Sequence, residues 1–301
     1  MTILRADQRK QLQLGLNAVV GLNYNEWPNL WKDIFTEEGS EKAYEEDVLM
    51  TGLAGAEEKA EGAAIEYDDM YETFVARYQH STITKAVAIT EEAVEDNLYL
   101  SMGSKIAAAM TRSMMYTKEV RRANVLNYGS TSTVTGGDGV PLFSTAHPLA
   151  SGATLANTLP TPAQLSESAL EQLSIQIGDW TDDRGIPVRA MIKKMIIPVA
   201  LQYVAARLLM TPYQTDTGDN NISATFKLGT VRDGASVNVY ITDPASWYLI
   251  TDVPDGLKAF RRRALKKGLE GDFETGNLRY KLSERYSQGW TNPRGAATGG
   301  S

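Results

Sequence analysis

Val94, Leu98, Met102, Ile106, Met110 and Met114 recur at four-residue spacing, and this run limits the possible fold more than any other feature. Residues three and four apart share one face of an α-helix, so the spacing predicts a long helix. Thr90 can cap its N-terminus, and Glu91, Glu92 and Glu95 suit the positive end of the helix dipole. Lys118, Arg121 and Arg122 suit the negative end, and Gly129 lies just beyond. A helix over residues 91–124 spans about 50 Å, which makes it a spine rather than one layer of a compact core. Its apolar stripe drifts around the helix instead of holding a heptad seam, which argues against a coiled coil. The methionines read as adaptable packing.

What precedes the helix is of another kind. Residues 37–72 carry thirteen acids against two lysines, a local charge of −11 in a chain of net charge −7. Gly52, Gly55 and Gly62 break any helix there, and the composition is that of an exposed excursion. From Tyr71 onward, Thr73, Val75, Arg77, Thr82, Thr84, Ala86 and Ala88 favour extended structure with period two. The expectation is a long projecting hairpin loop returning by a strand over residues 72–87. Residues 1–40 show little periodicity. Trp27 and Trp31, close to Pro28, need a partner surface there, within the chain or on a neighbour.

The bases concentrate in KAFRRRALKK, residues 258–267. Four-residue spacing places Lys258, Arg262 and Lys266 on one helical face, with Arg261 adjacent. This charge asymmetry suggests contact with something of opposite sign: nucleic-acid phosphates, or the acidic loop of another copy. In the second case Arg261, Arg262 or Arg263 would meet acids from residues 57–69.

Several function classes are excluded or weakened. Without cysteine there are no disulfides, thiolate metal sites or cysteine nucleophiles. His80 and His147 lack metal-ligand spacing. TGGDGV and the segment 178–185 are not P-loops, because no G-K-[ST] follows the glycines. Asp179, Asp182 and Asp183 flank a turn but do not make an EF-hand loop, and DTGDNN reads as another turn. No catalytic, cofactor-binding or metal residue is assigned. The start is not a signal peptide and no run is long enough for a membrane span, so a soluble, cytoplasmically made protein with no membrane partner is expected.

One loop deserves weighing as an active site. GDGVPLFSTAHPL holds Asp138, Ser144 and His147, the residue types of a hydrolytic triad. Yet no strand leads into Ser144, and no glycine lies two residues to either side of it, as a nucleophile elbow requires. Ser144 and His147 are only three residues apart, and Pro148 restricts His147 to an extended backbone. The stronger reading is a hydrogen-bonded structural histidine.

The GVPLFSTAHPL segment, following a long helix and a polar Gly-rich loop, resembles the "LF…HP" segment of tailed-phage major capsid proteins, including the Mu-like major head subunits. The order of parts agrees: an arm, an acidic extended loop, a spine helix, this motif, a helix over about 163–177, a mixed segment opening with KKMIIPVALQYVAARLLM, and strands near the end. The resemblance is specific in only about a dozen residues. It implies an α+β, HK97-type capsid fold: N-terminal arm 1–40, extended loop 41–88, peripheral domain 89–190 with the spine helix, axial domain 191–257, and a return to the peripheral domain with a C-terminal tail over 258–301. It also implies a non-enzymatic subunit that self-assembles into hexamers and pentamers of an icosahedral shell around double-stranded DNA, without a cofactor. The implied partners are further copies, a scaffolding protein, a portal, decoration proteins and packaged DNA through non-specific charge contacts. The location is the virion, with assembly in the host bacterial cytoplasm. The chain has no long helical scaffold extension, implying a separate scaffold or a mature chain. An encapsulin-like nanocompartment shell packaging cargo protein is the alternative, and a hydrolase using His147 a third.

Overall fold

The computed structural model describes residues 5–26, 28–62, 64–90, 99–213, 221–271 and 277–300. The predicted start of the spine helix, with Glu91, Glu92, Val94, Glu95 and Leu98, lies outside them, as do Trp27 and most of the DTGDNN turn.

Two four-stranded sheets organise the molecule. The first has the order β1–β10–β11–β4, from β1 (Thr36–Gly39), β4 (Ser81–Ile89), β10 (Leu257–Gly271) and β11 (Leu278–Trp290). β1 runs parallel to β10, and the other neighbours are antiparallel. The helices α1 (Arg5–Glu26) and α2 (Tyr99–Asn127) cover one face of this sheet. Leu16, Val20, Ala107, Met110 and Met114 pack there on Tyr280 and Leu282. Alternate residues of a strand share a face, so β11 offers its even-numbered side chains to the helices. The predicted spine is α2, and Met110 and Met114 are core as expected.

The second sheet has the order β12–β9–β7–β8, from β7 (Ile192–Ile197), β8 (Ala235–Val237), β9 (Trp247–Thr251) and β12 (Ala296–Gly300). One face carries α3 (Glu167–Gly178) and α4 (Gln202–Met210), through Leu170, Leu173, Ile177 and Ala205 against Met195, Trp247 and Leu249. Ser166 caps α3 by accepting the Ala169 N–H at 3.2 Å. The opposite face, with Ile196, Tyr248 and Ile250, packs on Leu126, Phe143 and Trp31. With both faces covered, WYLIT reads as a continuous apolar run rather than an alternating one. A short helix, α5 (Ala224–Leu228), follows α4.

Between these bodies, β2 (Tyr44–Met50) and β3 (Glu72–Gln79) form a hairpin. Beyond Thr51 and Gly52, every described residue of its connection is exposed. A two-residue ladder, β5 (His147–Pro148) with β6 (Thr154–Leu155), closes the LF…HP loop.

Three sequence readings need correction. The N-terminal segment contains a 22-residue helix, α1. Its stripe of Leu16 and Val20 is diluted by Gly15, Asn17 and Gly21, so its period is weak, and tertiary packing on α2 supplies what periodicity does not. KAFRRRALKK is strand, not helix: it lies in β10 and pairs with β11, with irregularities at Arg262 and at Ala264 and Leu265. The strand predicted over 72–87 is two strands in different sheets, joined by the single residue His80.

Candidate functional site

The LF…HP loop is a structural knot. His147 is completely buried, with Nδ1 2.6 Å from Asp138 Oδ2 and Nε2 3.2 Å from the Leu142 carbonyl oxygen. Both ring nitrogens are therefore engaged away from Ser144. The Ser144 hydroxyl accepts the Ala146 N–H at 3.1 Å instead, closing a local turn. Asp138 and His147 come together as two-thirds of the suspected triad, but the serine does not join them. Asn157, fully buried and missed by sequence reasoning, completes the knot. Its amide donates to the carbonyls of Leu142 (2.6 Å), Pro293 (3.0 Å) and Ala296 (3.1 Å), and its carbonyl accepts the Ser144 N–H (2.9 Å). Only the register of segments more than a hundred residues apart singles it out.

The N-terminal segment is fastened to the spine by buried charge. Arg122 has no exposed surface; its guanidinium lies 3.5 Å from the Trp31 ring centre and 3.4 Å from Glu37 Oε1. Lys118 pairs with Glu284 at 2.9 Å, both buried. The predicted dipole-compensating bases of α2 are thus mainly ion-pair partners. Glu119 is also buried, beside the backbone amides of Leu30 and Trp31 at the start of a 3-10 turn (Leu30–Asp33). Burial raises its pKa to about 7, with those amides and Arg122 pulling the other way.

The hairpin base is pinned by Asp47, which accepts from Lys258 at 2.6 Å and from Thr291 at 2.7 Å. Tyr78 meets the Thr291 hydroxyl at 2.6 Å and packs edge-on against Phe260. Burial works against the Lys258 ammonium, but Asp255 and Asp47 outweigh it and raise its pKa. Further out, Arg184 donates to Asp68 at 3.3 Å and to the Asp69 carbonyl at 2.9 Å. Gly52 fits against Asp182, where any side chain would collide with the carboxylate. Asp182 otherwise accepts the Arg184 and Ile186 N–H groups, Asp183 lies 3.9 Å from Arg294, and Asp179 ends α3. These three acids hold turns and contacts; no group of three potential ligands gathers among the described residues.

The basic segment divides by face. Lys258 and Phe260 point to the hairpin, whereas Arg261 turns to the other side, toward Glu37 at 4.0 Å. Beyond the hairpin base, register sets four rows across the sheet on the side away from α1 and α2. They are Arg263–Arg285–Thr82, Lys266–Ser283–Thr84, Gly268–Lys281–Ala86 and Glu270–Arg279–Ala88. Five cations and one acid therefore share this face, and Arg263, Lys266, Arg279 and Lys281 are exposed. Sequence reasoning found the β10 contribution but not Arg279, Lys281 and Arg285, which strand pairing brings alongside.

A spine helix on one sheet, a projecting acidic hairpin and a second sheet flanked by helices define an HK97-type capsid subunit. The chain belongs to the phage capsid protein family, whose model matches residues 74–299. Solved structures share the fold at low identity. The capsid of an empty GTA particle is 9% identical with a TM-score of 0.56, covering 90% of each chain. The bacteriophage JBD30 procapsid is 15% identical with a TM-score of 0.51, covering 99% of this chain and 76% of that one. The holo-SrpI encapsulin complex from Synechococcus elongatus is 10% identical with a TM-score of 0.54, covering 91% and 88%. A search of curated proteins finds no match.

Proposed function

We propose that this chain is the major capsid subunit of a tailed phage, self-assembling through hexamers and pentamers into an icosahedral shell around double-stranded DNA. The observation that carries it is the capsid family match over residues 74–299, and the mixed helix-and-sheet architecture supports it. The partition this reading uses is arm 1–40, extended loop 41–88, peripheral domain 89–190, axial domain 191–257, and a return to the peripheral domain with a C-terminal tail over 258–301, in which β12 pairs with β9. The role is structural and assigns no catalytic residue; the Ser144 hydroxyl lacks the base a hydrolase needs. A scaffolding protein, a portal and decoration proteins are the further partners, and assembly takes place in the host cytoplasm before the shell becomes part of the virion.

Within the shell, the acidic connection of the β2–β3 hairpin rests on the basic sheet face of a neighbouring copy. Opposite net charge on two exposed surfaces of one chain supports this contact. Electron microscopy of the purified protein tests the reading: closed shells, tubes or capsomers are expected, and a protein that stays monomeric under every assembly condition overturns it. The encapsulin likeness keeps a cargo-packaging shell as the second reading. Nucleic acid in shells purified from infected cells supports the first; shells filled with one protein support the second.

A further inference from the structure

β3 ends at Gln79 and β4 begins at Ser81, so His80 alone joins the projecting hairpin to the first sheet. Its ring is buried, at 7% exposure, and reaches across that sheet. Nε2 lies 2.9 Å from the hydroxyl of Ser40, which follows β1 and hydrogen-bonds to β10 through its backbone. Nδ1 lies 3.0 Å from the hydroxyl of Ser287 in β11. One side chain thus ties the hairpin's exit to both sides of the sheet it leaves.

The hydrogen bonds fix which nitrogen carries the proton. Ser40 Oγ is also 2.7 Å from Glu45 Oε1, and this bond holds the Glu45 carboxyl below its usual pKa. An ionised carboxylate only accepts, so the single Ser40 hydroxyl proton goes to Glu45. Ser40 must then accept from Nε2–H. Nδ1 keeps its lone pair and accepts from Ser287 O–H. The neutral ring satisfies every partner.

We propose that His80 is a proton-operated joint: neutral, it locks the base of the β2–β3 hairpin to the sheet; protonated, it releases it. A proton on Nδ1 reverses that bond, so the Ser287 hydroxyl must turn to accept from Nδ1–H instead of donating. It also adds a cation that Arg285 of β11 and Arg262 of β10 repel, while Glu45 of β2, which attracts it, is already bound to Ser40 and Lys42. Burial, then Arg285, lowers the affinity of the ring for that proton. The locked form is therefore intact above the ordinary histidine pKa and is lost as pH falls below it.

Amide hydrogen exchange on the unassembled full chain tests the joint. On going from about pH 7.5 to about pH 5.5, exchange of hairpin amides, corrected for intrinsic rates, should rise on the order of tenfold, while the β10–β11 ladder stays unchanged. H80Q, whose amide can donate to Ser40 and accept from Ser287, should remove that response. An unresponsive wild type, or an H80Q protein with the wild-type response, overturns the proposal. Should H80Q fail to fold, the wild type still decides. With only two histidines in the chain, the His80 ring is assignable by NMR. The Nε2–H tautomer and titration below the usual range are required; an Nδ1–H tautomer or ordinary titration rejects the joint. The joint lies within one chain, so its failure would leave the shell reading untouched.

Discussion

At the scale of single residues, the consequential side chains are buried polar ones. Asn157 satisfies three carbonyls and one amide across the LF…HP knot, so Asn157→Ala should cost about 2–4 kcal/mol by leaving them unpaired. His147→Ala should cost a similar amount, whereas Ser144→Ala should cost under about 0.5 kcal/mol; denaturant midpoints will rank the three. An esterase activity abolished by Ser144→Ala would defeat the structural account. Glu119 gives a pH test of defined sign. Its pKa is raised from 4.5 to about 7, so the folded chain holds this proton more tightly than the unfolded one. The contribution is favourable below pH 4.5 and is lost as pH rises toward 7. Glu119→Gln should therefore raise the thermal midpoint at about pH 8 and flatten the pH dependence between those limits, read by calorimetry against wild type. His147 was legible from its neighbours because Pro148 and the absence of an elbow are local signals. Asn157 and Glu119 were not, because their roles depend on where distant backbone arrives.

At the scale of elements, the described part of the spine and the strand β11 could be read because their periods are long and regular. α1 and β10 could not. In α1 the burial comes from α2 rather than from a strong stripe of its own. In β10 the basic residues satisfy a helical spacing equally well, and only pairing with β11 decides the matter. β12 shows how closely an element can be fitted. A side chain at Gly299 would collide with the Trp247 ring, and one at Gly300 would meet the Ala163 carbonyl oxygen at 2.7 Å. Gly299→Ala should cost about 1–3 kcal/mol or more through overpacking, visible as a lower unfolding midpoint. Gly268, with no neighbour within contact distance of an added Cβ, is the matched control.

At the scale of the whole molecule, the acidic hairpin and the basic sheet face predict salt-sensitive assembly. Each exposed pair contributes roughly 0–1 kcal/mol, but a closed shell repeats it in every copy. The double reversal Lys266→Glu with Lys281→Glu should stop shell formation at low salt, measured by light scattering. Adding Glu57→Lys, Glu58→Lys and Glu61→Lys should restore it. Empty shells forming normally from the first variant, with only DNA packaging impaired, would assign the face to nucleic acid instead.

The pairing of Thr36 with Lys258 has a consequence in time as well as in space. The sheet that α2 covers joins strands more than two hundred residues apart, and its inner strands, β10 and β11, are the last of the four in chain order. At a ribosomal pace of about 5–20 residues per second, α2 is synthesised several seconds before β11 can cover Met110 and Met114. Such long-range closure is also slow in itself. A nascent chain therefore passes through an interval in which the part of the α2 face that β11 later covers is open and α1 alone can shield its methionines, and a chaperone would matter most during that interval.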